Sequence, residues 1–217
     1  MLVGQMLVFL LTKQNLQNWL SPVFPIGAFS YSHGLEMAIQ DGHIMDQDSL
    51  YNWITSLLSH GSGRNDAIII KSAYEGVPEL NDLSLALSAS KERYQETTEL
   101  GYAFCRLFNT SYDCDLPEGL AYPVAVGIAS RILGLNVKLT IQSYLQAFAY
   151  NLISVGIRTI PIGQQSGQDC LLRLYPVIKD VATASISATL DDIGGAVFHA
   201  DLMAMKHENI TPRIYRS

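Results

Sequence analysis

The sequence predicts an all-α fold, a single-domain compact helical bundle of roughly eight to ten helices spanning residues 1–217. Three observations carry this. Apolar residues recur at i, i+3, i+4 and i+7 along most of the chain, and no segment shows sustained two-residue alternation between hairpin turn signals. No internal repeat or low-complexity linker divides the 217 residues, a length that supports one sizeable core without disulfides or metal.

The elements follow in order. Met6–Leu11 (MLVFLL) is apolar but lacks the basic start and small-residue cleavage site of a signal peptide, and it is far shorter than the roughly 20 residues that span a bilayer. It reads as a helix start within a terminal segment, residues 1–14, that has no firm assignment. Asp48 or Ser49 can cap a helix carrying Leu50, Trp53, Ile54, Leu57 and Leu58 on one face, stopped at Gly61 and Gly63. Ala67–Tyr74 is apolar nearly all round, as a buried helix would be. Asp82 can cap a long helix running to Asn109. A loop over Ser111–Gly119 precedes a helix with Pro123 in its first turn. Thr140 can cap the strongest helix, whose stripe is Ile141, Tyr144, Leu145, Phe148, Leu152 and Val155. Pro161 and Gly163 end it. A short helix is expected over Gln168–Tyr175, broken at Pro176, and another from Val177 to Leu190. Gly101 and Gly127 lie inside helical stretches, where small side chains let helix axes approach closely.

Composition narrows the function classes. Hydrophobic residues make up 48% and charged residues 16%, a low charge content that leaves apolar surface for partners. The formal charge of -6, with no basic stripe, argues against gripping nucleic acid. The three cysteines, Cys105, Cys114 and Cys170, form no CxxC pair, so neither a disulfide framework nor a zinc site is indicated, and a cytoplasmic setting fits. No membrane span is expected.

Four constellations could carry chemistry. In Ser21–Glu36 (SPVFPIGAFSYSHGLE) the prolines and Gly27 keep the chain out of a helix, and Ser30 or Ser32 can cap the helix that follows. His33 and Glu36 suggest a metal or acid–base pair, but two ligands are too few for a metal site; a polar cluster fixing the turn is the better reading. His199-Ala200-Asp201 and His207-Glu208 form a second polar group without Glu-x-x-His or HExxH spacing. Gly61-Ser62-Gly63-Arg64 and Gly163–Gln168 lack the GK[ST] ending of a nucleotide-binding loop. Arg213–Ser217 places an aromatic between two arginines, residue types enriched at binding hot spots; residues 209–217 are expected to be a tail that stays flexible until a partner orders it. No catalytic set, resident metal or cofactor emerges. An enzyme alternative is a metal-dependent hydrolase using His33, Glu36, His199 and His207. A generic helical interaction module is a further one.

Taken together, these blocks resemble the urease accessory family UreF. The resemblance rests on SPVFPIGAFSYSHGLE, Glu96-Thr97 with Leu100-Gly101, Tyr122–Gly127, Tyr144–Phe148, Arg158–Gln164 with Gly167-Gln168, Ala200–Met203 leading to His207-Glu208, and the ending Arg213–Ser217. It implies an all-helical, non-enzymatic homodimer that joins a UreD/UreH-type accessory protein, the GTPase UreG and urease apoprotein. In that complex it would couple GTP hydrolysis by UreG to nickel metallocentre assembly. The residues expected to meet partners are Tyr31, His33, Glu36, Arg213, Tyr215, Arg216 and Ser217.

Overall fold

The computed structural model describes residues 2–21 and 23–217, with side chains from residue 10 onward. The apolar side chains expected over Met6–Phe9, and the helix-breaking role given to Pro22, lie outside the described residues. Among the described residues ten α-helices follow one another: α1 Leu2–Trp19, α2 Leu35–Gln40, α3 Gln47–His60, α4 Ser62–Glu75, α5 Leu80–Ala86, α6 Lys91–Tyr112, α7 Tyr122–Ile132, α8 Val137–Thr159, α9 Gly163–Ser187 and α10 Phe198–His207, with 3-10 turns at Ala28–Ser30 and Leu190–Asp192. Among the described residues none forms a strand, and no helix is long and apolar enough to cross a membrane.

The centre of the fold is α4. It packs against α3, α5, α7, α8 and α9, and Ala67, Ile68, Ile69, Ile70 and Ala73 are all buried. This is why Ala67–Ile70 is apolar on every side, while Arg64, Lys71 and Glu75 share one polar stripe. Close approach is achieved with glycine: a Cβ on Gly127 of α7 would lie 2.5 Å from the Ile70 carbonyl oxygen of α4, and one on Gly101 of α6 would lie 1.9 Å from the Leu120 carbonyl oxygen. Trp19 ties α1 to α6. Its ring meets Phe104 and Phe108 edge-on at 5.5 and 5.6 Å, and its Nε1–H donates to the Tyr112 hydroxyl at 2.9 Å.

The structure departs from the expected boundaries where local polar groups compete with propensity. The cap of α3 is Asp46, whose Oδ1 accepts from Ser49 N at 2.8 Å while the Ser49 hydroxyl accepts from Asp46 N at 3.1 Å, a reciprocal capping box. The single long helix expected over Asp82–Asn109 is two. The Ser90 hydroxyl accepts from Arg93 N at 3.2 Å, giving α6 its own start after the turn that ends α5. Asn136, not Thr140, caps α8, accepting from Leu139 N at 3.0 Å. Pro176 does not break α9, which runs through it. Leu172, Tyr175 and Pro176 are all exposed, so the hydrogen bond that proline removes is lost on the solvent side, where water can replace it.

Candidate functional site

The chain leaves Tyr31 in an extended conformation and then turns through two left-handed residues, His33 (φ 53°) and Gly34 (φ 74°), before α2 begins. Gly34 is needed twice over. Its φ suits glycine, and a Cβ there would meet the α10 backbone at 2.6 Å from Ala204 N and 3.0 Å from Ala200 O. The turn therefore fixes α2 directly against α10. It also separates His33 from Glu36, which point to different partners.

Glu36 is buried and fully engaged. Its Oε1 accepts from Ile214 N at 2.7 Å, and its Oε2 accepts from Tyr215 N and from His207 Nε2, both at 2.9 Å. The fully buried His207 reaches Glu92 Oε2 through Nδ1 at 2.7 Å, and Arg213 donates to Glu92 Oε1 at 2.6 Å. Each ring nitrogen of His207 therefore has a carboxylate oxygen as its partner. Glu92 thus bridges the buried His207 and the half-exposed Arg213.

Glu92 begins an acidic row on α6 at helical spacing, continued by Glu96 and Glu99. Glu96 accepts from His33 Nε2 at 2.9 Å, from Arg93, and from the Ser217 hydroxyl at 3.4 Å. Burial alone would raise its pKa, but Arg93 and His33 overcome this and hold it at about 2. Burial, helped by Arg93, pushes the His33 imidazole below its ordinary value, so His33 is neutral and donates a hydrogen bond through Nε2–H to Glu96. Glu99 accepts from Tyr31 OH at 2.9 Å and holds Arg216 through both oxygens at 2.9 and 2.6 Å. The tail is laid beside the lead-in segment, with Ser32 N donating to Ser217 O at 2.7 Å and Arg216 N to Ser30 O at 2.8 Å.

Below this cluster, on α4, lies Asp66, which accepts from Tyr144 OH at 2.8 Å. Burial raises its pKa to about 6, against the pull of Arg93 and the Tyr144 hydrogen bond. The sign of its effect on stability follows. Below its ordinary value of 3.8 Asp66 is neutral folded or unfolded, and it costs nothing. Between 3.8 and about 6 the unfolded chain ionises first, and above about 6 the folded state carries the whole penalty. Asp66→Asn is therefore expected to raise stability by about 1–3 kcal/mol at neutral pH and by little near the ordinary carboxyl range. Urea unfolding of both proteins across that pH range measures the difference; a gain independent of pH would contradict the assignment.

The comparisons with known proteins bear on the same chain. The sequence model described as UreF matches residues 44–175. A urease accessory protein UreF of Ruegeria pomeroyi is 41% identical over 93% of this chain and 95% of its own length. One from Cereibacter sphaeroides is 45% identical over 94% and 97%, and one from Rhodopseudomonas palustris is 38% identical over 93% and 90%.

The chain belongs to the UreF family. It is a urease accessory protein and not an enzyme.

For this UreF-family chain, the structure gathers all seven residues expected to meet partners around one face of α6, and it sorts them. Tyr31, Glu36, Tyr215 and Ser217 are buried, and His33 keeps only 10% of its side chain accessible. Arg213 and Arg216 remain half exposed, beside the 74% exposed Ile214. The tail expected to await a partner is docked here, because the Glu36, Glu92, Glu96 and Glu99 carboxylates supply acceptors for its amides, arginines and terminal hydroxyl. The four hydrolase residues do not converge, since only Glu36 and His207 meet. His33 is hydrogen-bonded to Glu96 and the other ring nitrogen of His207 to Glu92, and His199 stacks elsewhere, 4.5 Å from the His43 ring and 5.7 Å from Trp53. Among the described residues no group of three or more His, Cys, Asp or Glu side chains is spaced to hold a metal. The glycine-bearing loops Gly61–Arg64 and Gly163–Gln168 are simply the first turns of α4 and α9.

Proposed function

We propose that this protein is a homodimeric, cytoplasmic scaffold that joins a UreD/UreH-type accessory protein and the GTPase UreG on urease apoprotein, coupling GTP hydrolysis by UreG to nickel metallocentre assembly. The observation that carries this reading is the near full-length likeness to urease accessory proteins. Its low charge content, and helices exposing Leu172, Tyr175, Phe198 and Leu202, support a protein that works by contact. Neither glycine-bearing loop has a GK[ST] ending, so the GTPase activity is assigned to the partner.

Within this reading the buried members of the α6 cluster set the shape of the tail, and Arg213, Ile214 and Arg216 present it to the UreD/UreH-type partner. Co-expression with that partner, UreG and urease apoprotein is expected to give a co-purifying complex and active urease. Deleting Arg213–Ser217 is expected to cut partner retention at least about tenfold while the dimer persists. Absence of any complex from the full-length chain would sink the scaffold reading. A complex indifferent to the deletion would reject the tail as the contact.

A further inference from the structure

A cavity of about 810 Å³ lies between α1, the 24–29 segment, α6 and α8, within the size range of small-molecule sites. Its walls carry the buried rings of Trp19, Phe24, Tyr122, Tyr144 and Phe148, while Lys13 and Arg158 stand exposed at its rim. Asp66 contributes to the lining of this cavity and also to that of a second, of about 170 Å³, toward α10.

The groups facing Asp66 are Arg93 and Glu96 from α6, Tyr122 from α7, Tyr144 from α8, His33 from the lead-in turn and, across the smaller cavity, Asp201 from α10. The tyrosines stay protonated, pushed up chiefly by burial, and His33 is neutral. Arg93 is already bound to Glu96. Asp66, Glu96 and Asp201 outnumber the one guanidinium, which leaves surplus negative charge at Asp66. Among the described residues its one side-chain hydrogen bond comes from Tyr144 to Oδ2, which leaves Oδ1 to a ligand.

The geometry points to a binding site for a small organic ammonium, its charged head on Asp66 and its alkyl part against the aromatic walls. A carboxylate set among ring faces is the arrangement that attracts organic cations by charge and by the ring quadrupoles together. An anion is disfavoured, since the interior cation is already paired and the rim cations are exposed to salt screening. A hard divalent ion would need several oxygen ligands, and of the two carboxylates lining the larger cavity Glu96 is already paired with Arg93.

The test is a titration of the full chain with n-butylammonium chloride, followed by heteronuclear NMR, with n-butanol as the uncharged counterpart. Saturable binding is expected, with shifts centred on Asp66, Tyr144 and Phe148, and it should tighten as the pH rises through about 6. The alcohol is expected to bind at least about tenfold more weakly, and Asp66→Asn should lose a comparable factor. Phe148→Leu, which keeps apolar volume but removes a ring face, should weaken the ammonium several-fold more than the alcohol. That variant decides the matter should Asp66→Asn fold poorly. Equal binding of the two probes, unchanged affinity in both variants, or no saturation would each overturn the site.

Discussion

Replacing Glu36 by alanine is expected to destabilise the fold by about 3–5 kcal/mol, the cost of breaking a buried ion pair from one side. The substitution removes the acceptor of three hydrogen bonds at once. His207 would keep Glu92 on one ring nitrogen but lose the other contact in a fully buried position, and the Ile214 and Tyr215 amides would lose their acceptor. An unpaired buried polar group costs about 1–3 kcal/mol. The tail should therefore separate before the core unfolds. Urea unfolding measures the total, and exchange of the Ile214 and Tyr215 amide hydrogens measures the local release. Glu36→Gln keeps one acceptor oxygen and should lose less. If Glu36→Ala unfolded like the parent and its tail amides stayed protected, the cluster would not be what anchors the tail.

Gly34→Ala should be the second most damaging change, at about 2–4 kcal/mol, combining left-handed backbone strain with overpacking. The added Cβ meets backbone atoms of α10 at 2.6 and 3.0 Å, which no side-chain rotation can relieve. Because α10 ends in His207, its displacement should also loosen the tail. Gly42 provides the control. Its φ of 76° is nearly the same, yet a Cβ there has nothing within 4 Å, so Gly42→Ala should cost only about 1–2 kcal/mol of backbone strain. Thermal unfolding of the two variants separates strain from contact. Equal losses would mean that the approach of α10 to the turn contributes nothing.

The helices were legible in the sequence wherever one apolar face or full burial governs the pattern. The stripe of α8, the apolar run of α4 and the close-packing glycines of α6 and α7 all follow from the sequence. What escaped was local polar chemistry. Ser90 and Asn136 start helices with a single hydroxyl or amide, which periodicity does not register. Pro176 reads as a break, because sequence does not show which side of a helix faces water. The site divided in the same way. Tyr31, His33, Glu36 and the tail stand out by residue type, but their partners on α6 lie 115–121 residues from His207, Arg213, Arg216 and Ser217. The signal was present as Glu92, Glu96 and Glu99 at helical spacing opposite two arginines. Only folding brings the complementary charges together. Asp66 was hidden for another reason: its place in the lining of a cavity depends on α8, which follows it by more than seventy residues in the chain.

The central position of α4 carries a liability outside the native state. Ile68, Ile69 and Ile70 are three consecutive β-branched residues, and a chain that has not yet packed α4 offers them as a sticky extended segment. Asp66 on one side and Lys71 on the other act as charged gatekeepers of that run. Asp66 thus trades some native stability for a newly made chain that stays dispersed. Asp66→Asn should melt higher and still give a poorer yield of soluble protein after dilution from urea.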